Sequence, residues 1–307
     1  MQVIITGGTG LIGRELVKEL ADNGHRAVVL SRHPEGREPL EGARMVKWDA
    51  ESAEGWVDWV EESDGIVNLA GENIAGSGLI PDRWTSAKKN RILTSRLKAG
   101  RAVVEAIESA DDKPGVLVQS SAIGYYGTGE EVVDESSPRG DGFLAETAEE
   151  WEEVTRPVES MGVRRPIIRT GIVLSSEGGV LPRLKLPYEL FLGGPLGAGN
   201  QWYSWIHIAD EVRAIRFLLE NEQADGPVNM TAPSPKRNRD FGRELGRVLN
   251  RPSYLKIPGW VFRFVLGDAA TLVLDGQRVR PVGLNELGFE FEYPLLGGAL
   301  EDLLGRN

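Results

Sequence analysis

Three glycines spaced three apart, Gly7, Gly10 and Gly13 in TGGTGLIG, follow the apolar run Val3, Ile4 and Ile5 and precede Leu11, Ile12, Leu16, Val17 and Leu20 at helical spacing. This predicts a strand, a tight turn and a helix, with glycines where the backbone must turn, approach a ligand closely and pack the helix on a sheet. The helix's unpaired N–H groups and positive end then face an anion. Gly7, Thr9, Gly10, Leu11, Ile12 and Gly13 are therefore candidates to cradle a pyrophosphate. One strand later, at Arg26 to Leu30, an NAD-type site would place an acid about 20 residues past the glycines to hold the ribose 2′-hydroxyl. The chain has Ser31 and Arg32 there. A hydroxyl and a guanidinium, with Arg37 as a second cation, suit a 2′-phosphate, so NADP(H) is the expected cofactor. The alternative leaves Arg32 as a solvated loop residue.

Further candidates lie at later strand ends. Asp49, after a strand at Ala43 to Trp48, is either an acceptor for an adenine amino group or an ordinary turn acid. Leu69, Ala70 and Gly71 end the NLAG segment of a fourth strand, where small residues let the backbone approach the cofactor. A long helix from Trp84 to Ile107 carries Lys88, Lys89, Arg91, Arg96, Lys98 and Arg101. It is either a wall attracting anions, with Trp84 and Lys88 toward substrate and Ser95 toward cofactor, or a solvated face. SSAIGYYG at 120–127 follows a fifth strand and supplies Ser121, Tyr125 and Tyr126 as candidate catalytic groups. In the segment 193–207, Gln201 offers hydrogen bonds and Trp202 a flat surface for stacking; Arg278 from the tail offers a cation to phosphate or carboxylate. His207 and Asp210 are read as tying that segment to the sheet.

The elements that must position these groups alternate strand and helix through the first two-thirds of the chain, which predicts an α/β fold: a doubly wound parallel Rossmann sheet covered on both faces. Residues 1–171 form the expected dinucleotide domain, with 205–231 returning to it. Residues 172–204 and 232–307 form a smaller substrate-binding lobe. Gly178 to Gln201, rich in glycine and proline, reads as loops around a cleft, and Asn238 as the cap of a helix reaching Leu249.

The 307 residues include 46 acidic and 35 basic ones, a net charge of −11 that argues against nucleic-acid or anionic-membrane partners. No cysteine and three scattered histidines exclude disulfides and thiol chemistry and predict no metal site. With no leader and no apolar run of spanning length, the expectation is a cytoplasmic protein, monomeric or homodimeric, acting on a small molecule.

In TGGTGLIG at 6–13, NLAG at 68–71 and WIHIADEVRAI at 205–215 the chain resembles the extended short-chain dehydrogenase/reductase superfamily. RWTSAKKNRILTSR at 83–96, SAIGYYG at 121–127, FLAE at 143–146, GGPLGAGNQWYSWIH at 193–207 and RVRPVGLNELGFEFEYP at 278–294 are similar to its epimerase family proteins, the cell-division-inhibitor-like subgroup. The resemblance implies an NADP-type cofactor and a small substrate lobe. Active members use a tyrosine as general acid/base, a lysine four residues later and a serine or threonine on the substrate hydroxyl. None of the six tyrosines here has a lysine at that spacing. The relevant helix begins at Phe143 or Leu144, with Thr147 or Ala148 in the lysine's place, and the serine position falls on Ser121 or Ala122. A phenyl ring has no proton to give. Tyr125, Tyr126, Glu146 or Lys88 would have to substitute. Three functions stay open: an NADP(H)-dependent oxidoreductase on a carbonyl or hydroxyl substrate such as a nucleotide sugar, an isomerase that keeps its cofactor bound, and a catalytically silent NADP(H) sensor.

Overall fold

The structure, a computed structural model, describes residues 1–36, 40–76, 78 and 80–305. Seven strands build the central sheet: β1 (Gln2–Thr6), β2 (Arg26–Ser31), β3 (Ala43–Lys47), β4 (Gly65–Asn68), β5 (Val116–Ala122), β6 (Pro166–Thr170) and β7 (Gly226–Met230). Their order is β7-β6-β5-β4-β1-β2-β3, with every neighbouring pair parallel. The winding direction reverses between β1 and β4, and open α/β sheets bind ligands in the crevice outside such a reversal. This is the doubly wound architecture expected from the alternation of elements.

The helices are α1 (Leu11–Asp22), α2 (Val57–Glu61), α3 (Ser86–Ser109), α4 (Phe143–Glu153), α5 (Leu181–Glu189) and α6 (Ile208–Glu220). Five more follow: α7 (Asn238–Leu249), α8 (Gly259–Leu266), α9 (Thr271–Leu274), α10 (Val282–Glu286) and α11 (Leu296–Leu304). Alternation along the strands explains how they pack. Val3, Ile5, Val29, Val67 and Ile168 join one core with Leu16, Val17 and Leu20 of α1 and Ile215, Leu218 and Leu219 of α6. Ile4, Val28, Ile66 and Leu117 join the opposite core with Ala99, Ala102, Val103, Ala106 and Ile107 of α3. Strands buried on both faces read as unbroken apolar runs, as these do. A third core brings Tyr188 of α5, Tyr203, Trp205, Phe241 and Leu245 of α7, and Leu296 and Leu300 of α11 together beyond the sheet.

Several elements differ from the sequence reading. Residues 181–189 form a helix rather than loop, its periodicity masked by Pro182 in the first turn and Pro187 inside it. The helix expected over 140–159 stops at Glu153 and continues as a separate 3₁₀ segment, Arg156–Met161, opened by Pro157. Asn238 does not cap its own helix. Its Oδ1 accepts the backbone N–H of Leu196 at 2.9 Å, pinning the 193–197 strip onto α7.

Candidate active site

The turn after β1 is held by backbone crowding. Gly7 has φ +68°, and a Cβ there would lie 2.8 Å from the Leu69 carbonyl. A Cβ on Gly13 would lie 2.5 Å from the Gly8 Cα, and one on Gly8 2.7 Å from Val29. Gly10 is the N-cap, extended at φ −78°, with no side-chain cap, so the amides at the start of α1 face the crevice without a partner from a capping side chain. Gly8, which the three-residue spacing overlooks, is thus more crowded than Gly10. The Leu69 and Ala70 backbone forms the opposite wall, where Ala70 donates to Thr6 Oγ1 at 3.2 Å.

Beneath Gly71 lies Arg96. A Cβ on Gly71 would be 3.1 Å from the guanidinium carbon, and Arg96 Nη1 donates to the carbonyls of Glu72 and Ile92. Arg96 rides over the Trp151 ring at 4.6 Å, and burial pushes its pKa down to about 10 against the opposing charge of Glu72. Ser95 Oγ accepts the Glu72 N–H at 3.0 Å and donates to Ile92, so the hydroxyl expected to reach the cofactor is spent on shaping this loop.

At the tip of β2, Ser31 is buried and Oγ accepts the His33 N–H. Arg32 is exposed and has no hydrogen bond or carboxylate partner among the described residues. Arg37 lies outside the described residues. Asp49 takes the turn role: its carboxylate accepts the N–H groups of Glu51 and Ser52 and the Ser52 hydroxyl. Burial opposes its charge, but these bonds outweigh it and hold the pKa below the ordinary carboxylate value.

The candidate catalytic residues are bound into a buried polar row. Ser121, Arg169 and Asn229 are direct neighbours across β5, β6 and β7. Ser121 Oγ donates to Glu152 Oε1 at 2.6 Å, and Arg169 holds both Glu152 oxygens at 2.8 Å. Tyr126 accepts from Arg169 at 3.0 Å and donates to Asn229 Oδ1 at 2.7 Å. Burial raises its pKa to about 12 despite Arg169. Tyr125 lies with its face on the Arg169 guanidinium, 3.5 Å from ring centroid to carbon. Every proton that Ser121 and Tyr126 offer thus already has a buried acceptor.

The substrate candidates divide in the same way. Lys88 is buried, paired with Glu72 at 3.0 Å and Asp82 at 3.4 Å, and lines neither of the two cavities described below; it lowers the Glu72 pKa. Trp202 has the guanidinium groups of Arg237 at 4.0 Å and Arg278 at 4.6 Å from its ring centroid, so both it and Arg278 already have partners within the protein. Gln201 donates to the carbonyls of Leu196 and Val273 and lines a cavity of 510 Å³ with Glu130, Asn200, Trp260 and Arg263. Trp84 donates to the Ile74 carbonyl and lines a second cavity, of 320 Å³, that meets the first at Thr128.

That second cavity contains what the sequence reading missed. Lys89, not Lys88, lines it, opposite Gly124, Phe143 and Leu144, with Asp141, Asp268, Thr271 and Gln277 around it. The Lys89 ammonium sits 5.3 Å from the Phe143 ring centroid and 2.6 Å from Asp268, whose pKa it lowers. Glu146, the other substitute considered, is exposed on α4. Helical phase was the available signal: Lys88 is four residues before buried Ile92 and so shares the inner face of α3, which turns Lys89 aside toward the cavity.

Fold and site together define an extended short-chain dehydrogenase/reductase architecture. The NAD dependent epimerase/dehydratase family matches residues 3–146, and a domain of unknown function (DUF1731) matches 257–303. The chain is 41% identical over 309 residues to the Arabidopsis thaliana epimerase family protein SDR39U1 homolog, chloroplastic, covering 99% of this chain and 87% of that one. It is 38% identical to the Staphylococcus aureus epimerase family protein SAR0825, over 99% of each. The structure of human epimerase family protein SDR39U1 (isoform 2) with NADPH superposes at a TM-score of 0.87, with 32% identity and 100% of each chain covered. The chain belongs to the epimerase family proteins.

Proposed function

We propose that this protein binds NADP(H) along the turn after β1 and acts as an oxidoreductase or epimerase-like enzyme on a carbonyl or hydroxyl substrate seated in the 320 Å³ cavity. The observation that carries the reading is the pairing of an uncapped helix start at Gly10 with an exposed Arg32 at the neighbouring strand tip that has no partner among the described residues. The first offers N–H groups to a pyrophosphate and the second offers a guanidinium to a 2′-phosphate. The relative solved with NADPH supports the same choice. Gly7, Gly10 and Gly13, with Leu11 and Ile12, would hold the pyrophosphate, and Leu69 to Gly71 would bound it. When bound, the cofactor supplies or accepts the hydride. The protein's part is to exclude water with Trp84, Phe143 and Leu144 and to hold a proton at Lys89 Nζ, the cation beside the Phe143 ring. Segments 172–204 and 232–307 would serve as the substrate lobe.

One observation favours a second reading, a cofactor-binding protein without turnover: Ser121 and Tyr126 spend their hydroxyls on Glu152 and Asn229. Calorimetry with NADPH and NADH, followed by 340 nm assays over carbonyls and nucleotide sugars with product analysis, separates the two. NADPH binding that Arg32→Glu weakens at least tenfold, about 1.4 kcal/mol, with NADH binding unchanged, is the expected result. No affinity for NADPH would refute the cofactor assignment, and binding without turnover or product would favour the second reading.

A further inference from the structure

Parallel chain segments at 190–197 and 251–257 form a ribbon on the outside of the third core. Tyr254 and Leu255 donate to the Gly193 carbonyl, Ile257 to Pro195, and Gly197 back to Ile257. α8 begins two residues further on. This ribbon and helix carry large apolar side chains in water: Trp260 is 70% exposed, Phe264 78%, Tyr254 67% and Phe191 54%, with Leu190 and Leu192 also open. Trp260 and Phe264, four residues apart, occupy one face of α8, while Phe262 and Leu266 turn inward to a core with Trp84 and Ile92. The helix is anchored on its inner side by Leu266, which is buried, and Phe262, which is partly buried. Large apolar side chains gathered in water on neighbouring segments in this way mark interaction surfaces.

The charge of this face is opposite to that of the molecule. The chain carries −11 overall, yet residues 251–267 contain Arg251, Lys256 and Arg263 and no acid. Lys256 and Arg263 have no carboxylate partner among the described residues, and Arg251 lies over the Phe191 ring at 4.6 Å. A second copy meeting this face about a twofold axis would present a patch of the same charge to it, because an isologous interface places the same patch on both sides. Exposed tryptophan, tyrosine and phenylalanine interleaved with lysine and arginine instead match the interface of an anionic bilayer, where the rings sit at headgroup level and the cations meet lipid phosphates. The net negative charge elsewhere repels such a surface and so orients the molecule, leaving this face as the one that can approach.

We propose that the face formed by α8 and the 190–192 and 254–256 segments docks peripherally on anionic phospholipid membranes. Trp260 and Phe264 enter the headgroup region, and Lys256 and Arg263 pair with lipid phosphates. Trp260 and Arg263 also line the 510 Å³ cavity, so the docking face adjoins it.

The test is vesicle flotation of the full chain with phosphatidylcholine liposomes containing or lacking phosphatidylglycerol, at low and high salt. Partitioning onto the anionic vesicles at least tenfold above the neutral ones is expected, falling with added salt. Trp260→Ala/Phe264→Ala and, separately, Lys256→Glu/Arg263→Glu should each lower it at least tenfold, with circular dichroism unchanged because these side chains project into solvent. Absence of flotation on anionic vesicles, or flotation indifferent to both double variants, overturns the proposal. So does a homodimer by light scattering that Trp260→Ala/Phe264→Ala converts to monomer, which would give the face to a second copy.

Discussion

Arg169 and Glu152 meet in a bidentate pair with both contacts at 2.8 Å and both side chains buried, under the same row of side chains that holds Ser121 and Tyr126. Such a pair is costly to break from one side only, since the survivor is left charged in a medium that cannot solvate it. Arg169→Ala or Glu152→Ala should each destabilise the fold by about 3–5 kcal/mol, read from the urea midpoint. Arg169→Met combined with Glu152→Met should recover much of that loss. A single variant within 1 kcal/mol of the native chain, on the order of a surface pair, would mean that the pair is solvated.

The contrast between what could and could not be read from the chain follows from contact range. β1, the glycine turn and α1 are neighbours in sequence, so apolar period and glycine spacing reveal them together. The polar rows are not local: Thr6, Asn68 and Gln119 come from three strands and lie side by side through the registers of β1, β4 and β5, joined at 2.6 and 2.9 Å. The Ser121, Arg169 and Asn229 row is assembled likewise, and nothing near Ser121 in the chain announces Glu152. α5 stayed hidden for a different reason, since its two prolines look like loop signals while one occupies the first turn, where its missing N–H costs nothing. The phase of α3 is hidden as the polar rows are: the burial of Lys88 with Ile92 is set by packing that the local sequence does not reveal.

Crowding in the opening turn ranks its glycines. An added methyl on Gly13 would press 2.5 Å from backbone, where nothing can move aside, whereas on Gly10 it would meet only the Gly7 carbonyl at 3.2 Å. Gly13→Ala should therefore separate α1 from the sheet enough to lose NADPH affinity by more than tenfold, with Gly10→Ala losing less. Fluorescence titration of NADPH against each variant checks the order. Equal losses would mean that close ligand approach, not packing within the turn, sets the requirement.

Lys89 tests the assignment of the proton. Proton transfer by a positioned group is worth roughly 10²–10⁴ in rate, so under the proposed oxidoreductase function Lys89→Met should cost that much in kcat on any carbonyl found to be a substrate, with NADPH affinity unchanged. Lys88→Met should instead act through stability, because it takes the cation from Asp82 and leaves Glu72 with the 3.6 Å contact to Arg91. A Lys89→Met variant with full kcat would return the role to solvent or to another cavity group.

Glu211 gives the protein a pH dependence of known sign. It is completely buried in the first turn of α6; Thr170 donates to Oε1 at 2.8 Å, while Oε2 has no partner among the described residues. Burial raises its pKa to about 8 from an ordinary 4.5, against the Thr170 bond. Between those two values the unfolded chain has released this proton and the native chain still holds it, so raising the pH pulls toward unfolding. The contribution is fully present below about pH 4.5, declines with a slope approaching 1.4 kcal/mol per pH unit, and is gone above about pH 8. Glu211→Gln keeps the shape and removes the titration. Its urea-unfolding free energy should overtake that of the native chain progressively from pH 5 to 8, and parallel curves across that range would show that Glu211 is ionised and solvated in the fold.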